Sequence, residues 1–182
     1  IVDDAFTFGK IAAVNAISDV YAMGGKPIMA LALLGWPVDK LPAQLASDVL
    51  DGAREACSEA GISLAGGHSI DNLEPLFGLS VNGIIDIKNL KRNIGAQEGD
   101  LIYLTKPLGV GIISSAVKKK IASQEESQMI IDLMSSPNKI GAAFGELDYV
   151  NAMTDVTGFG LLGHLIEMAE GSELSAELWF NK

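Results

Sequence analysis

Cysteine is almost absent. Cys57 stands alone in 182 residues, which excludes an intramolecular disulfide and a cysteine-built zinc site and points to a reducing compartment, read here as the cytoplasm. Basic residues are also scarce: Lys and Arg total 13 against 23 Asp and Glu, for a formal net charge of −10. A surface of that sign repels nucleic-acid phosphates, so nucleic acid is not an expected partner. No apolar run approaches the ~20 residues needed to span a bilayer, and Pro27–Trp36 has the length of a buried strand, so no membrane is expected either. There is no P-loop, no Gly-x-Gly-x-x-Gly fingerprint following a strand, no internal repeat and no low-complexity tract. Ile1 opens the chain with neither an initiator Met nor a signal-peptide pattern, and the chain reads as a fragment.

Hydrophobic residues make up 48% and charged residues 20%, which suits a globular chain with a real core, in one domain or two small ones. Phe8 to Met23 is rich in Ala and Ile and runs into Gly24-Gly25-Lys26-Pro27, a helix with a left-handed cap and a stop. Pro27–Leu34 follows as a buried strand. From Pro42 to Ala60, apolar residues recur at spacings of three and four, an amphipathic helix ended by Gly61. Ile62–Ala65 and Phe77–Ile87 read as strands, separated by a polar loop over Gly66–Asp71. The pattern lapses after Ile87, where we place a boundary between domains 1–87 and 88–182. Beyond it we expect a strand at Leu101–Thr105 and helices at Gly109–Lys120, Glu125–Met134 and Lys139–Leu147. A short strand or loop at Asn151–Val156 and a final helix from about Gly160 to Glu170 complete the reading.

Four constellations could carry chemistry. On the first helix, Asn15 and Asp19 lie four apart on one face with Ser18 beside them. A carboxylate on a helix this apolar must be paired, metal-bound or at a cavity rim; the pattern equally fits a plain polar stripe. Gly66-Gly67-His68-Ser69 offers backbone amides to an anion, or is simply a turn. Thr154-Asp155-Val156-Thr157-Gly158-Phe159-Gly160 delivers a carboxylate to a Gly-rich turn before a helix, suited to phosphate and a divalent ion. Alternatively Asp155 is a helix cap, with His164 a packed residue. Lys106 faces either a phosphate or the solvent. The Lys118–Lys120 run reads as the solvated end of a helix.

Taken in order, Asn15 through Pro27, Leu33-Leu34-Gly35-Trp36-Pro37, Ala65 through Asp71 and Ala152 through His164 resemble the selenophosphate synthetase (selenide, water dikinase) family. The resemblance covers essentially the whole chain. The wider superfamily includes phosphoribosylaminoimidazole synthetase, thiamine-monophosphate kinase and a hydrogenase maturation factor. It implies an α/β (α+β) fold of two domains like that of aminoimidazole ribonucleotide synthetase, residues 1–87 binding ATP and pairing with a second copy in a shared β-barrel. The homodimer would place its active sites at the interface. By the same resemblance Asp19 contacts Mg²⁺ and ATP, and Asp155 ligates Mg²⁺. Gly67, His68 and Ser69 approach the nucleotide from the partner subunit, and Asn15 neighbours the phosphates. The implied reaction converts ATP, selenide and water to selenophosphate, AMP and phosphate, with the two aspartates acting through metal rather than as bases. The family's nucleophile, a Cys or selenocysteine, and its Lys would precede Ile1. Cys57 matches no catalytic position, and the 182-residue chain alone is expected to be inactive. A relative with another phosphoryl acceptor, or a dimerising nucleotide-binding module without turnover, are the alternatives.

Overall fold

The computed structural model describes residues 2–179; Ile1 and residues 180–182, the outer ends of the two expected domains, lie outside the described residues. Helix α1 (Ala5–Ala22) starts where the Asp4 side chain accepts a hydrogen bond from the Thr7 amide at 2.7 Å. That cap lies one turn before the start expected from the apolar run, and it satisfies a donor that the helix itself leaves open. At the other end Gly24 takes φ +79°, its amide donating to the Tyr21 carbonyl while the Gly25 amide donates to Val20. This is the glycine cap the sequence announces.

Strand β1 (Lys26–Trp36) is central in a three-stranded sheet of order β2-β1-β3. Helix α2 (Ala43–Glu59) crosses back and delivers β2 (Ser63–Asp71) parallel to β1, while β3 (Leu76–Ile84) pairs antiparallel on the other side. One face of the sheet is covered. Ala30, Ala32, Leu34 and Trp36 are buried there with Ala13, Val14, Ile17 and Tyr21 of α1 and Val49, Ala53, Ala56 and Cys57 of α2. Each fully buried aliphatic side chain contributes on the order of 1.5–3 kcal/mol relative to exposure. The opposite face stays open, with Leu31, Leu33, Ile70 and Leu76 at 37–59% exposure. Ladder partners share a face, and Leu33 is opposite His68 while Gly35 lies between Ile70 and Leu76, so these side chains line one surface.

The expected loop Gly66–Asp71 is instead strand. Register steps from Ala30–Leu64 to Ala32–Gly67, so β2 carries one more residue than β1 and forms a bulge at Ala65-Gly66 before continuing as the edge strand. Gly67 is required there: a Cβ on it would stand 2.1 Å from the Ala32 carbonyl oxygen. Gly-Gly was legible as a break in regularity, but whether it turns the chain or bulges a strand depends on β1 being alongside.

After β3, which ends at Ile84 rather than Ile87, a 3-10 turn spans Ile87–Asn89. Helices α3 (Val110–Lys118), α4 (Gln124–Ser135), α5 (Ile140–Gly145) and α6 (Gly160–Gly171) follow. Helix α4 opens on a capping box: Glu126 donates its amide to the Ser123 hydroxyl at 3.1 Å, and Ser123 donates its amide to the Glu126 carboxylate at 2.7 Å. The Ser-x-x-Glu string announces this start. Lys118–Lys120 are exposed at the end of α3, as the solvated reading expects. The strand expected at Leu101–Thr105 does not form; no described strand lies beside it, and Leu101 and Tyr103 are 77% and 76% exposed. Strand propensity without a ladder partner leaves backbone groups to water, and the segment stays irregular. Asn151–Val156 likewise carries no strand.

Candidate functional site

Asp19 lies on the open side of α1, with Asn15 one turn earlier and also exposed. Ser18 turns back, its hydroxyl donating to the Val14 carbonyl at 2.8 Å, so it offers no free donor beside them. Asp155 is half-buried in the irregular segment leading to α6, a segment tethered where the Met153 amide donates to the Arg92 carbonyl at 2.9 Å. The two carboxylates are near enough to interact electrostatically. Although Asp19 keeps an exposed edge, partial desolvation raises its carboxyl above the usual carboxylate range, and the negative charge of Asp155 adds to the effect. Neither carboxylate has a hydrogen-bond or ion-pair partner among the described residues.

Asp155 is not a cap. The N-cap of α6 is Phe159, and no side chain closes that helix end. Gly158-Phe159-Gly160-Leu161-Leu162-Gly163 has the Gly-x-Gly-x-x-Gly spacing of a dinucleotide fingerprint, yet no strand precedes it, so the β-turn-α unit that gives the spacing meaning is missing. His164 is buried, as the packed reading holds, but its Nε2 also accepts a hydrogen bond from the Thr157 amide at 3.1 Å. That contact was not legible from the sequence.

Gly67, His68 and Ser69 lie on edge strand β2, with His68 and Ser69 exposed. No hydrogen bond or ion pair among the described residues joins them to Asp19 or Asp155. Lys106 is committed elsewhere: its ammonium donates to the Leu133 carbonyl at 2.9 Å and to the Ser136 carbonyl, closing the end of α4. Burial also pulls its pKa down, so the phosphate-facing alternative finds no support. Cys57 is 1% exposed and burial pushes its thiol up, the opposite of a nucleophile's setting. No group of three or more His, Cys, Asp or Glu side chains gathers among the described residues, and no helix there is long and apolar enough to cross a membrane.

The chain is a small three-stranded sheet backed by two helices, followed by a helical region in which Asp155 precedes the glycine-rich turn into α6. Residues 1–85 match "AIR synthase related protein, N-terminal domain" and residues 97–181 match the corresponding C-terminal domain. The chain belongs to the AIR synthase related family. Within it the similarity is to selenide, water dikinases: 59% identity over 181 residues to that of Shewanella sp. (strain W3-18-1), covering 100% of this chain and 51% of the relative. The Shewanella baltica (strain OS155) enzyme is 58% identical over the same span. The chain thus spans about half the length of the curated relatives it matches. Among solved structures, thiamine monophosphate kinase from Aquifex aeolicus superposes with a TM-score of 0.80 at 21% identity, over 93% of this chain and 57% of the kinase. Hydrogenase maturation protein HypE in complex with ATP gives 0.73 at 18%, over 90% and 50%. At those identities the likeness carries the fold alone.

Proposed function

We propose that this chain is the nucleotide- and metal-handling part of a selenide, water dikinase, converting ATP, selenide and water to selenophosphate, AMP and phosphate. The observation that carries it is the electrostatic coupling of Asp19 and Asp155, two carboxylates without a hydrogen-bond or ion-pair partner among the described residues, within a chain 59% identical to such enzymes.

The donor set fits a hard divalent cation. A carboxylate that burial and a neighbouring charge make costly to ionise gains from a bound cation, and Mg²⁺ favours one or two protein carboxylates with the remaining oxygens from water and phosphate. When bound, Mg²⁺ neutralises charge on the triphosphate. Asp19 and Asp155 would hold that cation, and exposed Asn15, one turn from Asp19, would donate to a phosphate oxygen. On this reading neither carboxylate activates water, since both would be committed to the cation.

The open sheet face supports a homodimer. Leu31, Leu33, Ile70 and Leu76 form an apolar surface beside an unpaired β2 edge, and a second copy covers both at once. Gly67, His68 and Ser69 lie on that edge, which supports their reaching the partner's nucleotide rather than their own. We divide the chain into domains 1–87 and 88–182; the irregular stretch after Asn89 supports a boundary there. The lone buried Cys57 and the acidic surface support a cytoplasmic enzyme.

AMP formation from ATP by the complete enzyme, measured with and without selenide, tests the assignment. Selenide-dependent AMP supports it; ADP as the product with another acceptor transfers the chain to a different branch of the family.

A further inference from the structure

The segment that carries Asp155 has no ladder or helix of its own, so something else must hold it still. Gly160 takes φ +65° and donates its amide to the Thr157 carbonyl at 3.0 Å, which curls the chain back over the first turn of α6. Phe159 then lies over that turn, its ring centroid 5.7 Å from that of His164 at 45°. The space beneath it exists because residue 163 is glycine: a Cβ there would stand 2.5 Å from the Phe159 Cβ. His164, only 9% exposed, points its Nε2 at the Thr157 amide 3.1 Å away, with the Thr157 hydroxyl at 3.3 Å.

A backbone N–H can only donate, so Nε2 must carry a lone pair and the imidazole proton must sit on Nδ1. The side chain is therefore a neutral acceptor, locked in one tautomer. Thr157 is two residues from Asp155. With so short a connection, fixing the amide of one restricts where the carboxylate of the other stands.

We infer that His164 is a positioning residue: through Nε2 it fixes the Thr157 amide and so restricts where the Asp155 carboxylate stands. The role resembles that of partners that orient metal ligands from behind, whose loss costs about 10–100-fold in metal affinity. The inference rests on the reading of Asp19 and Asp155 as a divalent-cation site.

The test uses Mn²⁺ alone as the probe, bound to this chain and followed by electron paramagnetic resonance, with circular dichroism confirming the fold. His164→Leu keeps much of the volume and removes the acceptor; His164→Gln restores an acceptor at similar reach. We expect Leu to weaken Mn²⁺ binding about tenfold or more and Gln to recover most of it. Where Asp155→Asn weakens Mn²⁺ binding, parental affinity in the Leu variant overturns the inference, and so does an equal loss in both, which would assign the effect to ring packing. Two measurements separate failure of the brace from failure of the cation site. Imidazole ¹⁵N spectra of the unsubstituted protein must show Nε2 unprotonated, whatever binds; a protonated Nε2 overturns the brace. If Asp155→Asn binds Mn²⁺ as the parent does, the cation site fails. The brace is then decided by Thr157 amide exchange, which must accelerate in the Leu variant and not in the Gln variant.

Discussion

Gly145 of α5 lies backbone against backbone on Gly24, the residue that caps α1: a Cβ on Gly145 would stand 2.6 Å from the Gly24 carbonyl oxygen, and one on Gly24 would stand 2.7 Å from the Gly145 Cα. Around this contact Lys91, 8% exposed, donates its ammonium to the Leu147 carbonyl at 2.9 Å and its amide to the Met23 carbonyl at 3.1 Å. Lys26 pairs with Glu146 at 2.6 Å on the surface. The contact lies just beyond the helix that carries Asp19, and it ties that helix to the part of the chain that carries Asp155.

Gly145→Ala should therefore destabilise the chain by about 1–3 kcal/mol, the usual cost of forcing a methyl into a filled space. At this chain length each kcal/mol lowers Tm by about 2–4 °C. Thermal unfolding of the variant checks this. An unchanged Tm means the two glycine backbones are not in contact.

The Asp19 carboxyl is raised, so the fold favours its protonated form. By linkage that preference stabilises the metal-free protein below the ordinary value of 3.8 and is lost as pH rises through the higher folded value. At neutral pH the charged carboxylate is a liability that Asp19→Asn removes. Metal-free Asp19→Asn should melt slightly above the parent at pH 7, and the difference should shrink toward zero on acidification to about pH 3. A Tm difference independent of pH would show that Asp19 feels no such burial or charge.

Asp155→Asn should abolish turnover in the complete enzyme while leaving the fold intact, because it removes an anionic ligand without opening a cavity. Circular dichroism and an AMP assay on one preparation decide it. Parental activity would remove Asp155 from the site.

Leu33 is 52% exposed in the middle of the open sheet face. A charge there costs the monomer little but opposes burial against a second copy. Light scattering should report a dimer for the parent at micromolar concentration and a folded monomer for Leu33→Asp. A parent that is monomeric, or a dimer indifferent to the change, contradicts pairing through this face.

Sequence by itself determined the elements whose signals are local. Helices α1 and α2 are written in apolar spacing and in the glycines that stop them, and the burial of Cys57 follows from its place on the apolar stripe of α2. Even the starts that the spacing placed late, at Asp4 and Ser123, have their caps within three residues. The sequence strings also carried the family, since several short motifs in fixed order are specific where each alone is not. Tertiary structure decided what depends on a neighbour distant in the chain. Gly66–Asp71 became strand because β1 was there to pair with it, and Leu101–Thr105 did not because no described strand lay beside it. Spacing left Asp19 open between ligand and surface stripe, and Asp155 between ligand and cap. Their electrostatic coupling, which no local pattern encodes, is what supports the common role proposed for them, because charge and burial act through space and not along the chain.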